Sequence, residues 1–441
     1  SSPAARGAVL LTLPSGDQML KVITSLPVDG AAETDLMRKD TVSGLLAGVR
    51  VIDVTTVLAG PFAAYQLSLL GADVIKVEIP GEGDLAREMG DDRALAGQLM
   101  GASFLAQNAG KRSITTDLKS DGGRQVFARL VENSDVLVEN MRPGVLTRLG
   151  FSYAELQRLN PKLVYCAVSG FGQTGPLAHR PAYDQIIQGL SGMCDVTGWP
   201  SDDPLRVGFP VCDTLGGFVA AMSICAALVR REREGVGAEL DVSMLESAIT
   251  AMGWVTSEHL ISGRVATRHG NDNAASSPSG TFRTGDGLLN IAANTQRQYE
   301  AVCDVVGRPD LVTDERFLTR ELRKRFRGLL TGELELALSA KSAVEWESLL
   351  TEVNVPTGRV LSLGEALEQE QIRERSLVHA VPVNLDDHET ISLLGSGVHV
   401  DGQALVPSSA PPRLGEHTEQ ILGELGFAPE EIAAFKVAGV V

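Results

Sequence analysis

The chain reads as an α/β protein: a Rossmann-like open parallel sheet in a large domain, plus a smaller α+β domain. Three observations predict this. Short apolar runs alternate with amphipathic helical stretches over the first half of the chain, the pattern of βαβ units with right-handed crossovers. The ends of those apolar runs carry Gly, Pro and polar residues, as the ligand-facing tips of a parallel sheet do. After about residue 256 the pattern changes to a Gly/Ser/Asn-rich linker, a hairpin-like stretch and charged helices.

In order, residues 1–44 form an extension without a starting Met, too short in apolar length for a membrane span and too poor in basic residues for a transit peptide. "AGVRVIDVT" reads as a buried strand, "GPFAAYQLSLLG" as a short helix and "ADVIKVEIP" as a second strand. "GGRQVFARLVENS" with "DVLVEN", and "SYAELQRLN" with "KLVYCAVSG", repeat the helix-to-strand alternation. "PVCDTLGGFVAAMSICAALV" is an apolar helix, followed by a charged turn, a short strand and a long helix in "RREREGVGAELDVSMLESAITAM". "TFRTGDGLLNIAA" reads as a hairpin turning at "TGDG". The last 28 residues have helical periodicity and end on apolar residues, as if docking on another element. The expected division is 45–255 with 365–441 for the large domain and 256–364 for the small one.

Composition is that of an ordinary globular enzyme, 44% hydrophobic and 22% charged over 441 residues. A net charge of −17 with no Lys/Arg-rich block argues against nucleic acid as a partner. Five cysteines without a CxxC pair fit reduced thiols in a cytoplasmic compartment, with the mitochondrial matrix as the eukaryotic equivalent. Seven scattered histidines and no HExxH give no metal site. No apolar run reaches about 20 residues free of charges or glycines, so no membrane span is expected.

One carboxylate stands out. Asp213 opens the apolar helix, where an Asp serves either as an N-cap or as a nucleophile kept ionised by the helix dipole. Glu78, ending the second strand, invites a dinucleotide reading with that acid on a ribose. The glycine fingerprint is missing, however: the first strand leads into "TTVLAGPFAAY".

Six blocks in order, "VIDVTTVLAGPFAAYQLSLLGADVIKVEIPGEGD", "NAGKRSITTDLKSDGGR", "VLVENMRPGVLTRLGFSYAELQRLNPKLVYCAVSGFGQTGP", "YDQIIQGLSGM", "GFPVCDTLGGF" and "LGEHTEQILGELG", resemble the class III CoA-transferases, of the CaiB/BaiF, formyl-CoA transferase and carnitine CoA-transferase type. The resemblance spans Leu45 to the C-terminus. It implies an intertwined, interlocked-ring homodimer that moves CoA from an acyl-CoA, with succinyl-CoA or a related dicarboxylyl-CoA as the expected donor, to a small carboxylic acid, with CoA as substrate and no permanently bound cofactor. The family nucleophile falls on Asp213, and the mechanism it implies passes through an aspartyl anhydride and an aspartyl-CoA thioester. Gly216 and Gly217 either leave room for the acyl group or serve helix packing.

The resemblance places Leu58 and Ala59 at the thiol end of CoA, where their amides would stabilise an oxyanion, and Lys119, Asn140 and Arg148 on its nucleotide and phosphates. Arg142 is a further phosphate contact. Tyr183 and Asp184 order CoA or the site wall, or else cap and pack a helix. Arg206, Arg268 and His269 are candidates for a distal carboxylate of the acceptor.

There are departures. Ile79 stands where some members carry an Arg that contacts adenine or phosphate. Leu58 and "NDNAASSPSG" replace the Gln and the four-glycine run of formyl-CoA transferases, which argues against formate or oxalate and toward succinate-like dicarboxylates or carnitine-like acids. A 2-methylacyl-CoA racemase, the nearest rival, needs a His base where this chain has Tyr183. An intramolecular transferase acting on one dicarboxylic acid would use the same Asp213 chemistry. A silent CoA-binding scaffold would be expected to lack Asp213.

Overall fold

In the computed structural model, which describes residues 44–385 and 388–441, six strands form one parallel sheet. They are β1 (Arg50–Val54), β2 (Asp73–Glu78), β3 (Lys111–Thr115), β4 (Val136–Glu139), β5 (Val164–Ser169) and β6 (Ala238–Ser243), in the order 3-2-1-4-5-6. Between β1 and β4 the direction of winding reverses, and a doubly wound sheet opens its ligand crevice at that point. The tips of β1 and β4 therefore lie side by side at the mouth of the crevice. The expected extension over 1–44, apart from Gly44, lies outside the described residues.

Alternate residues of the same strands feed two cores. Val51, Val74, Val136 and Cys166 face one side, under α1 (Ala59–Leu69) and the long helix α4 (Val211–Glu234). Ile52, Ile75, Leu137 and Tyr165 face the other, under α2 (Asp121–Glu132) and the C-terminal Ile421 and Leu422. Strands buried on both faces are mostly apolar, which is why four of them were legible as apolar runs.

The sequence reading missed β3, "KRSIT", because it is polar. Each polar side chain there has a partner: Lys111 donates to Asp53 Oδ2 at 2.8 Å, Arg112 pairs with Asp73 at 2.6 Å, and Ser113 donates to Glu78 Oε1 at 2.7 Å. A buried charge is tolerable when paired and hydrogen-bonded, so cross-strand pairs here replace apolar packing.

Three antiparallel strands, Ser279–Arg283, Leu288–Ala292 and Thr357–Arg359, carry a separate core of Phe282, Leu289, Ile291, Tyr299, Leu334 and Trp346. The anticipated turn is there, with Thr284 N donating to Gly287 O at 2.9 Å. A further antiparallel pair, Val378–Leu385 with His388–Leu394, was not anticipated; Pro382 interrupts the strand signal in its first member.

Candidate active site

Helix α4 begins badly and is rescued from outside. Pro210 occupies its N-cap position and offers no side-chain acceptor, and Asp213 is the third helical residue, not the cap that a bare reading of the run allowed. The cap comes from Asp184, the first residue of α3 (Asp184–Leu190). Its Oδ1 accepts from the N–H groups of Cys212 at 2.7 Å and Asp213 at 3.3 Å, and its Oδ2 accepts from Gln188 Nε2 at 2.7 Å. Gln188 Oε1 in turn accepts from Val207 N at 2.8 Å. Asp184 is thus a buried carboxylate fully engaged in tying α3 to the start of α4.

This arrangement sets the acidity of Asp213. Burial, and then the charge of Asp184 beside it, push the Asp213 carboxyl up to about 7. The sequence reading expected the helix terminus to lower it. The correction has a plain cause: Asp184 already occupies the exposed amides of the first turn, so its negative charge sits where the dipole would have favoured a second one.

Asp213 faces a cleft of about 420 Å³ at the carboxyl ends of the strands. Leu58, Ala59, Asn140, Arg142 and Tyr183 line it as well, so the cleft gathers six of the nine anticipated catalytic and CoA-binding residues. Asn140 is committed within the wall: its Oδ1 accepts from Thr56 N at 2.9 Å and its Nδ2 donates to Thr56 O at 2.8 Å. The N–H groups of Leu58 and Ala59, at the start of α1, have no acceptor among the described residues. A second, mostly apolar cavity of about 240 Å³ adjoins the cleft, sharing Thr56, Gly83 and Met141 with it, and is lined by Ile79 and Lys119. Arg148 lines neither cavity, but its neighbours Val145 and Leu149 line the second.

Several expectations change in this setting. Glu78 is no ribose ligand: Arg87 takes its carboxylate in two hydrogen bonds of 2.7 Å, with both residues buried. Arg268 is spent on Asp195 at 3.2 Å and on the Trp199 carbonyl at 3.2 Å. Arg206 and His269 do not line the Asp213 cleft. Gly217 serves close packing, since a Cβ there would stand 2.7 Å from Ala59 O, and one at Gly216 would stand 3.0 Å from Met244 Cγ. Helix α4 is 24 residues long, with no charged side chain between Asp213 and Arg230, enough by length and composition to cross a bilayer, yet one face lies in the sheet core.

Sequence reasoning missed Arg180. It lines the cleft, and among the described residues no carboxylate pairs with its guanidinium. Its only signal was proximity, four residues before Asp184 in "LAHRPAYD". With Arg142 it brings the cationic groups of the cleft to two.

Comparison with known proteins points one way. The family model described as CoA-transferase family III matches residues 46–418. The chain is 40% identical over 336 residues to an acetyl-CoA:oxalate CoA-transferase of Acetobacter aceti, covering 76% of this chain and 85% of that protein. It is 34% identical to a succinyl-CoA:glutarate CoA-transferase of Mus musculus, covering 86% of each. Among solved structures, a CAIB/BAIF family protein from Brucella suis superposes with a TM-score of 0.77 at 32% identity, over 86% of this chain and 98% of that one.

Proposed function

The chain belongs to CoA-transferase family III and is an enzyme of that class, and from this premise we propose that it moves CoA between an acyl-CoA and a dicarboxylic acid through covalent intermediates on Asp213. The observation that carries the proposal is that, among the described residues, Asp213 is the one carboxylate lining a cleft that otherwise offers two unpaired guanidinium groups and the free amides of Leu58 and Ala59.

The ionised Asp213 attacks the thioester carbonyl; a C–O bond forms, the C–S bond breaks, and CoA leaves as thiolate. The thiolate then attacks the Asp213 carbonyl of the mixed anhydride, releasing the donor acid and leaving an aspartyl-CoA thioester. The acceptor carboxylate runs the same two steps in reverse. Thioester energy is conserved throughout, and no ATP is needed. The amides of Leu58 and Ala59 face the oxygen on which charge develops. Racemisation would require a second acid/base group across the substrate α-carbon, and among the described residues no histidine lines the cleft.

CoA lies with its pantetheine toward Asp213 and its nucleotide over the apolar second cavity, where Lys119 and Arg148 meet phosphate. Arg142, which lines the cleft next to Met141, a residue shared with the second cavity, faces the phosphates, which leaves Arg180 for the second carboxylate of the acceptor. Relatives act on glutarate and on oxalate by name, so both belong in the test. With acetyl-CoA as donor, Arg180→Ala is expected to raise the KM for dicarboxylate acceptors on the order of 10- to 100-fold, the loss of one charge-assisted hydrogen bond, while leaving a monocarboxylate acceptor unaffected. Equal effects on both acceptors would remove Arg180 from this role.

The chain pairs with a second copy. Helix Trp254–Ser262 has no buried residue, and Trp254, Leu260 and Ile261 are 91%, 77% and 86% exposed; Phe218 and Met222 of α4 are also exposed. Apolar surface on this scale is normally covered. Residues 256–364 make the smaller domain and 365–441 return to the larger.

A further inference from the structure

The turn from β1 into α1 is where the amides of the cleft are set, and it is built against the preference of its own residues. Val57 has φ of +68°, the left-handed region, although it is β-branched and not a glycine. Something must hold it there.

The backbone of Thr55–Val57 is gripped from outside at five points. Thr55 N donates to Asp53 Oδ1 at 3.0 Å, and Thr55 O accepts from Lys76 Nζ at 2.9 Å. Thr56 is spanned by Asn140 on both sides. Val57 N donates to Asp84 Oδ1 at 2.9 Å. Asp84 Oδ2 lies 2.8 Å from Lys76 Nζ, and neither side chain is more than 1% exposed. One buried ion pair therefore holds the turn at two points, Lys76 at its first carbonyl and Asp84 at the N–H of the strained residue. Asp84 is itself fixed, its N–H donating to Glu78 Oε2 at 3.0 Å and its Oδ1 accepting also from Ala86 N at 2.9 Å.

A buried pair that only filled the sheet end would have no reason to reach the N–H of a left-handed valine. We propose that Asp84, backed by Lys76, is a positioning residue for acyl transfer: it holds Val57 in the left-handed turn that aims the Leu58 and Ala59 amides at the thioester carbonyl. This rests on the CoA-transferase reading of the cleft. Amides aimed at a developing oxyanion act on the transition state more than on bound substrate, so loss of the clamp should lower kcat and leave the donor KM nearly unchanged.

The test compares Asp84→Ala, Asp84→Asn, Val57→Gly and the Val57→Gly combinations in the full chain, with kcat, KM and Tm for each. Asp84→Ala is expected to lose kcat on the order of 100-fold, the scale of one oxyanion donor, with donor KM shifted little. Asp84→Asn, which keeps an acceptor for the Val57 N–H while losing the charge, should retain more. Glycine visits the left-handed region without strain, so Val57→Gly should restore part of the lost kcat in either Asp84 variant without restoring Tm. Should Asp84→Ala not fold, Asp84→Asn with and without Val57→Gly gives the same decision. Wild-type kcat in a folded Asp84→Ala, or a loss that Val57→Gly does not relieve, would reduce the ion pair to a structural role. A wild-type protein that transfers no CoA would instead overturn the functional reading beneath it.

Discussion

Asp213 both lines the cleft and is costly to the fold. A carboxyl whose folded-state pKa is raised from 3.8 to about 7 imposes no penalty where both states are protonated; the penalty grows as pH rises from about 4 to 7 and is constant above. The ceiling is about 4 kcal/mol, reduced by whatever solvent the open cleft admits. Asp213→Asn is therefore expected to raise Tm at pH 8 and to leave it unchanged near pH 4; an equal gain at both values would contradict the raised pKa. In the proposed mechanism the same carboxyl must be ionised to attack, so activity should climb through pH 7. Asp213 stood out in sequence because an acid opening an apolar helix is conspicuous, although the pattern alone left cap and nucleophile open and only the family resemblance pointed to the second. Its acidity was not readable, because the residue that sets it, Asp184, lies 29 positions away and is brought to α4 only by the fold.

At the scale of elements, the site depends on how closely α1 approaches α4. Gly217 lets the Ala59 carbonyl and Phe62 approach its backbone, and Phe62 then meets Phe218 edge-on at 4.9 Å. Gly217→Ala would place a Cβ 2.7 Å from Ala59 O, so α1 must shift. We expect a destabilisation of about 1–3 kcal/mol, read by denaturant unfolding, together with reduced transfer, since Ala59 belongs to both the contact and the cleft. Unchanged stability would show that the two helices have slack. Helices and apolar strands were legible from periodicity, whereas β3 and the turn at Thr55–Val57 were not. Both are held by polar partners distant in sequence, the buried Asp53 and Lys111 in one case, the buried Lys76 and Asp84 with the half-buried Asn140 in the other, and periodicity carries no record of such pairs.

Across the whole molecule, a −17 chain gathers Lys119, Arg142 and Arg180 in two adjoining cavities without carboxylate partners among the described residues. That asymmetry suits an anionic ligand, and it arises at the sheet's point of reversal, where the strand order alone would place a site. The exposed apolar helix surface adds an expectation at the same scale: light scattering should give the mass of two chains, and a stable single chain would contradict the proposed homodimer. The most direct measurement is intact-protein mass spectrometry of wild type and Asp213→Ala after mixing with acetyl-CoA or succinyl-CoA and trapping with hydroxylamine. A CoA-sized or hydroxamate adduct on wild type alone is the expected result. An adduct on both proteins, or on neither while CoA is still transferred, would contradict covalent transfer through Asp213.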